Sequence, residues 1–158
     1  MDNREHQKSR QGEHVPPGKT PTATASKKIH FWVDKGKGQI DPKLFSETAE
    51  RLAGELADDW RQQSKLNKRS QIRKFYDEVL RLNSLAQSSK VPWDAVLPQV
   101  HMLVAKTAYA RGRELVSENF KNFMQNSVSQ VEKEDDLRVF ADFFEALMGF
   151  YRLLGPKN

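Results

Sequence analysis

From residue 41 onward, apolar side chains recur at three- and four-residue spacing, the period of a helix face. Asp41-Pro42 opens the first run, because aspartate can accept a first-turn N–H and proline fits the first helical position. Leu44, Phe45, Leu52, Leu56 and Trp60 line its apolar face, and the helix is expected to reach Gln62. A second helix should run from Lys68 to Gln87, with Asn67 as its cap and Ile72, Phe75, Tyr76 and Val79 turned inward. The SSKVP segment interrupts the pattern, and Pro92 restarts it with Trp93, Val96 and Leu97. Pro98 is expected to bend or restart this third helix, since proline removes one hydrogen bond and crowds the preceding turn. The helix then continues to about Gly112. A fourth covers Ser117 to Val131, with Phe120, Phe123, Met124 and Val128 inside. A fifth runs from Glu134 to Leu154, where Gly155-Pro156 stops it. No alternating strand pattern competes. The expected fold is all-α, a compact bundle of about five helices over residues 41–155.

Ahead of the bundle the pattern fades. Residues 1–28 are polar and rich in Pro, Gly and Thr, and read as a disordered basic tail. Residues 29–40 read as an extended arm, IHFWV, followed by a turn, DKGKGQ. The fifth helix is wider in its apolar arc than an ordinary surface helix. Leu137, Phe140, Phe143, Phe144, Leu147, Phe150, Tyr151 and their neighbours leave only a strip of Arg138, Asp142, Glu145, Gly149 and Arg152. Such a helix is central to the bundle, meets another subunit, or does both. Phe143, Phe150 and Tyr151 are the candidate subunit-interface residues.

Charge alters this picture more than composition does. The chain has 158 residues, a net charge of +5 and no cysteine, which excludes disulfides and thiolate metal sites and suits a reducing, cytoplasmic setting. No apolar run approaches the roughly 18 residues of a membrane span, and the N-terminus lacks the apolar core of a secretory signal. Residues 61–81 carry a local charge of +5, whereas residues 132–145 carry −4. Opposite patches suit a polyanion on one side and a basic protein surface on the other, or are simply two solvated helix faces.

The four histidines have no metal-ligand spacing, no Gly-rich loop precedes a helix in phosphate-binding form, and no nucleophile sits beside a base. Glu134, Asp135 and Asp136 are consecutive, so they diverge, and they suit a helix N-terminus. The expectation is a protein without enzymatic activity, cofactor or metal. Binding signals are stronger. Lys65, Lys68, Arg69, Ser70, Gln71, Arg73 and Lys74 crowd the start of the second helix, whose free N–H groups add a positive dipole end. Asp77 is spaced to pair with Arg73 and Arg81. On the third helix, Gln99, Met102, Lys106, Tyr109 and Arg113 share one stripe, with Arg111 beside it. That stripe either tracks a phosphate backbone, with Tyr109 against a sugar or base, or packs Met102 and Tyr109 in the core while the cations reach out.

Three segments, NKRSQIRKFYDEV (67–79), LVAKTAYARGR (103–113) and VFADFFEALMGFYR (139–152), resemble in order and spacing the small subunit of type III-A CRISPR effector complexes, the Csm complex. The likeness covers about residues 40–154; Arg69 stands where that family often has serine. The resemblance implies a helical bundle without catalysis of its own, stacked head to tail in several copies along the duplex of guide CRISPR RNA and target RNA. It also implies contacts with the repeated backbone subunits and the large palm-domain subunit, which carry the complex's catalytic activities. A basic face without base-reading chemistry suits backbone contact. Two other readings remain: a free-standing helical nucleic-acid-binding regulator, for which no convincing helix-turn-helix is present, and a basic scaffold protein.

Overall fold

The computed structural model describes residues 28–157, so the expected tail, apart from Lys28, lies outside the described residues. Five α-helices follow one another: α1 (Ala49–Gln62), α2 (Arg69–Gln87), α3 (Trp93–Gly112), α4 (Glu118–Ser129) and α5 (Glu134–Leu154). Their number and order are those of the apolar periodicity. Two short strands, β1 (Trp32–Asp34) and β2 (Gln39–Ile40), pair antiparallel within the arm, so the segment expected to be a plain extended arm is a small hairpin. Gly38 closes its turn at φ +66, a conformation that side chains disfavour.

Local chemistry explains the departures from the expected boundaries. Asp41 accepts the Lys43 N–H at 3.0 Å, but the chain then makes a π-helical turn, Leu44–Thr48, before α1 proper. Pro98 neither stops nor restarts α3, which is continuous. It falls in the second turn and is solvent-exposed, so the helix forgoes one bond where water can serve the freed carbonyl. Ser117 caps α4, its hydroxyl accepting from the Phe120 N–H at 3.3 Å.

Helix α5 is the central element, packed against α1, α2 and the π-helical turn. Its Phe140, Phe143 and Phe144 meet Phe123 of α4 at ring distances of 5.7–6.0 Å for the first two and 5.2 Å for the third. Phe31 of the arm completes the cluster, 6.2 Å from Phe140 and 6.1 Å from Phe143. Stacked, tilted and edge-on geometries of this kind add to the hydrophobic gain of burial. The breadth of the apolar arc on α5 is therefore spent inside the molecule. Phe143 and Tyr151, expected at a subunit interface, are both 0% exposed and present nothing to a partner; Phe150 is half-buried and packs on the same core.

Asn67 corrects a second expectation. It does not cap α2, whose N-cap position falls on Lys68 with no side-chain bond. Instead it is fully buried with φ 52, a left-handed conformation that asparagine tolerates better than most residues. Its amide nitrogen donates to the Leu56 carbonyl of α1 at 3.2 Å and to the Ser117 hydroxyl at 2.9 Å, and its side-chain oxygen accepts the Ser117 N–H at 2.8 Å. Its backbone N–H donates to the Leu115 carbonyl at 3.0 Å, and its carbonyl accepts the Tyr151 hydroxyl of α5. Burial pushes the Tyr151 hydroxyl pKa up, which keeps it a neutral donor.

Replacing Asn67 by Ala should leave the Ser117 N–H unpaired and keep the left-handed strain, at a cost of about 2–4 kcal/mol in urea unfolding. Asn67→Gly loses the same amide but relieves the strain, so its midpoint should lie above that of the Ala variant. Equal midpoints would show that the backbone conformation is unimportant. In the aromatic core, Phe143→Ala should cost about 3–5 kcal/mol. Phe75, only half-buried, should cost clearly less in the same melt.

Candidate nucleic-acid interface

Helices α2 and α3 lie side by side, and between them runs a groove of about 580 Å³. Its floor is apolar: Leu103 and Ala110 are buried, and Phe75 and Leu115 are half-buried. Its rim holds Gln71 and Lys74 from α2, and Lys106, Tyr109 and Arg113 from the α3 end. Spacing of three and four residues on both helices places these side chains along one trough. Five of the residues singled out in the sequence thus come together, although they lie on two elements. The alternative in which the α3 stripe packs inward is excluded, because Met102 is 54% exposed and Tyr109 67% exposed.

Glu78 sits at the bottom of the rim and was not foreseen as part of the site. Arg81 grips it with two bonds of 2.9 and 2.8 Å, and the Lys106 ammonium lies 3.4 Å away. The Arg81 bonds lower its pKa to about 2, with partial burial opposing them and Lys106 adding to them. Arg81 also donates to Gln99 at 3.1 Å, which ties α2 to α3 beside the groove. The expected pairing of Asp77 with Arg81 does not form; Asp77 holds Arg73 at 3.2 Å, and Arg81 turns one helical turn back to Glu78. Among the described residues, Lys74 and Arg113 form no ion pair. Arg113 lies over the Tyr109 ring at 5.6 Å, a cation–π contact that preorganises both on the rim.

The other sequence candidates lie elsewhere. Arg69 is half-buried, and its guanidinium donates to the carbonyls of Lys157 at 3.0 Å, Arg152 at 3.4 Å and Pro156. It satisfies one carbonyl of the last turn of α5 and two in the segment that follows, so it is a structural cation rather than a free one. Lys65 pairs with Glu114, and Arg111 with Glu118 at 3.3 Å. Arg73, besides its Asp77 partner, lies 5.8 Å from the Tyr76 ring. Lys68 and Ser70 border a separate depression with Trp60 and Lys157. The basic cluster at the start of α2 is thus split: Lys74 joins the α3 stripe, and Arg69 does not. Nothing in the local pattern signals this, because the partners of Arg69 lie more than 80 residues away.

Far from the groove, Asp136 organises the arm. Burial alone would raise its pKa, but N–H groups of Glu132 at 2.9 Å and Lys133 at 3.0 Å, together with Lys35, lower it. Its other oxygen accepts the Trp32 indole N–H at 3.0 Å. The acidic run at 134–136 therefore serves a helix N-terminus, as its position suggested. Among the described residues no group of three or more His, Asp or Glu could hold a metal ion, and no helix is long and apolar enough to cross a membrane.

The Glu78 shift carries a pH dependence. Its pKa falls from an ordinary 4.5 to about 2 on folding, so the carboxylate contributes stability that is complete above pH 4.5 and is lost as pH drops toward 2. The difference in unfolding midpoint between the wild type and Glu78→Gln should be flat from neutral pH down to about 5 and should shrink below it. A difference that stays constant into that acid range would show that Glu78 is not held ionised by Arg81 and Lys106.

Residues 40–157, which span α1 to α5 and the last turn of the chain, match the family described as Csm2 Type III-A. Neither a curated protein nor a solved structure matches the chain. With its five-helix bundle and with the matched region covering all five helices, the chain belongs to the Csm2 Type III-A family, the small subunits of type III-A CRISPR complexes.

Proposed function

We propose that this chain is a non-catalytic small subunit that lies in several copies along the duplex of guide CRISPR RNA and target RNA and contacts its backbone without reading sequence. The observation that carries the proposal is the pair of unneutralised cations, Lys74 and Arg113, on one groove rim with Lys106 and the exposed Tyr109. Cations without an ion-pair partner are those whose phosphate contacts break no internal pair. Sequence is then read by pairing between guide and target, and the protein supplies position.

The charge distribution also supports self-association in a filament. Asp142 and Glu145 are exposed on α5, whereas the groove on the α2–α3 side is basic. Opposite fields on one molecule favour copies that meet in register. The backbone subunits and the large palm-domain subunit are the further partners in this reading, and they carry the catalytic steps. The chain itself acts in the cytoplasm with no cofactor.

The test compares two double variants of equal charge change. Lys74→Glu/Arg113→Glu should weaken binding to an RNA duplex uniformly across sequences, and the log–log salt slope should fall by about one for each lost contact. Lys28→Glu/Lys90→Glu, at exposed positions away from the groove, should change both far less. Equal losses in fluorescence anisotropy would leave only a generally basic protein. Arg69→Ala should act mainly on the melting temperature, because its bonds are internal.

A further inference from the structure

The groove contains more than backbone contact requires. A phosphate needs only cations at a surface, yet here the cations surround a trough of about 580 Å³ with Phe75, Leu103, Ala110 and Leu115 at its floor. That volume lies within the range of small-molecule pockets, which are mostly apolar with a few placed polar groups. Tyr109, 67% exposed, stands at the rim as an aromatic plate with Arg113 over its ring at 5.6 Å. An apolar floor with an aromatic wall and a cationic rim matches one ligand chemistry, a flat ring bearing an attached phosphate. A paired base cannot enter such a trough, because its faces and edges are already engaged in the duplex.

We propose that the α2–α3 groove receives one unpaired nucleotide of a bound RNA strand, its base stacked beside Tyr109 above the apolar floor and its phosphate on Lys74 and Arg113. The inference rests on the RNA-binding reading above and adds a subsite to it. Glu78 does not read the base, since its oxygens are committed to Arg81 and Lys106. Recognition is therefore by stacking and charge, which every base can satisfy. An acidic protein segment, the other occupant that a basic groove could take, would leave the apolar floor and the Tyr109 face unused.

The experiment uses the full chain with two RNA duplexes that differ only in one unpaired 2-aminopurine. The bulged duplex should bind about tenfold more tightly than the paired one, the scale of stacking one base, and its 2-aminopurine fluorescence should be quenched. Tyr109→Phe should keep that ratio, whereas Tyr109→Ala should bring it to about one. Helical content should be unchanged, because the side chain is mostly in solvent. If both duplexes bind equally well, the subsite is overturned while backbone binding stands. If neither binds at low salt, both readings fall. A ratio lost in Tyr109→Phe as well would rule out stacking on the ring. Displacement of the bulged RNA by poly-glutamate as readily as by an unpaired oligonucleotide would reassign the groove to an acidic protein.

Discussion

A single buried amide determines how this bundle is put together. Asn67 has four polar groups, and all of them bond: to Leu56 of α1, to Ser117 at the start of α4, to Leu115 before it and to Tyr151 of α5. A buried polar group left without partners costs far more than a satisfied one contributes, so these elements can approach one another only in the arrangement that serves Asn67. Its left-handed backbone then sets the direction in which α2 departs. That direction decides which side chains of α2 face α3 and which face the end of α5. The basic cluster at 65–74 is divided by this one turn of the chain.

The division has electrostatic consequences. Cations that find internal partners lose their value for an outside polyanion. Arg69 is used by carbonyls at and just beyond the end of α5, Lys65 by Glu114, and Arg111 by Glu118. Glu78 tempers Lys106 and, through Arg81 and Gln99, keeps α2 and α3 at the spacing that opens the groove. Lys74 and Arg113 form no ion pair among the described residues, and they stand on opposite helices above an apolar floor. Local net charge thus overstates how many of these cations lack an internal partner.

The arm shows how a segment without helical pattern joins the core. Phe31 is fully buried between Phe140 and Phe143, and the Gln130 side chain accepts the Phe31 N–H and donates to the Ile29 carbonyl. Trp32 and Lys35 converge on Asp136, which also accepts the N–H groups ahead of α5. Hairpin and helix terminus therefore share one carboxylate. The apolar breadth of α5 is accounted for by this covering strand together with α1, α2 and α4. A second subunit is not needed to explain it.

The sequence by itself determined the helices. Their period and the Gly155-Pro156 stop act over a few residues, and α5 begins and ends where those signals place it. It also marked Gln71, Lys74, Lys106, Tyr109 and Arg113 as candidate binding residues, because each helix carries its own stripe. Only the tertiary structure decided that these two stripes form one groove, that Met102 and Tyr109 face outward, and that Phe143 and Tyr151 face inward. A helical wheel gives the angle of a side chain about its own axis but not which neighbour lies at that angle. The same limit hid the role of Asn67, whose spacing reads as a cap while its partners come from α1, α4 and α5. Short-range steric and capping preferences are written in adjacent residues, whereas the choice of partner across 50 or 84 residues depends on how buried polar groups are jointly satisfied in the packed fold.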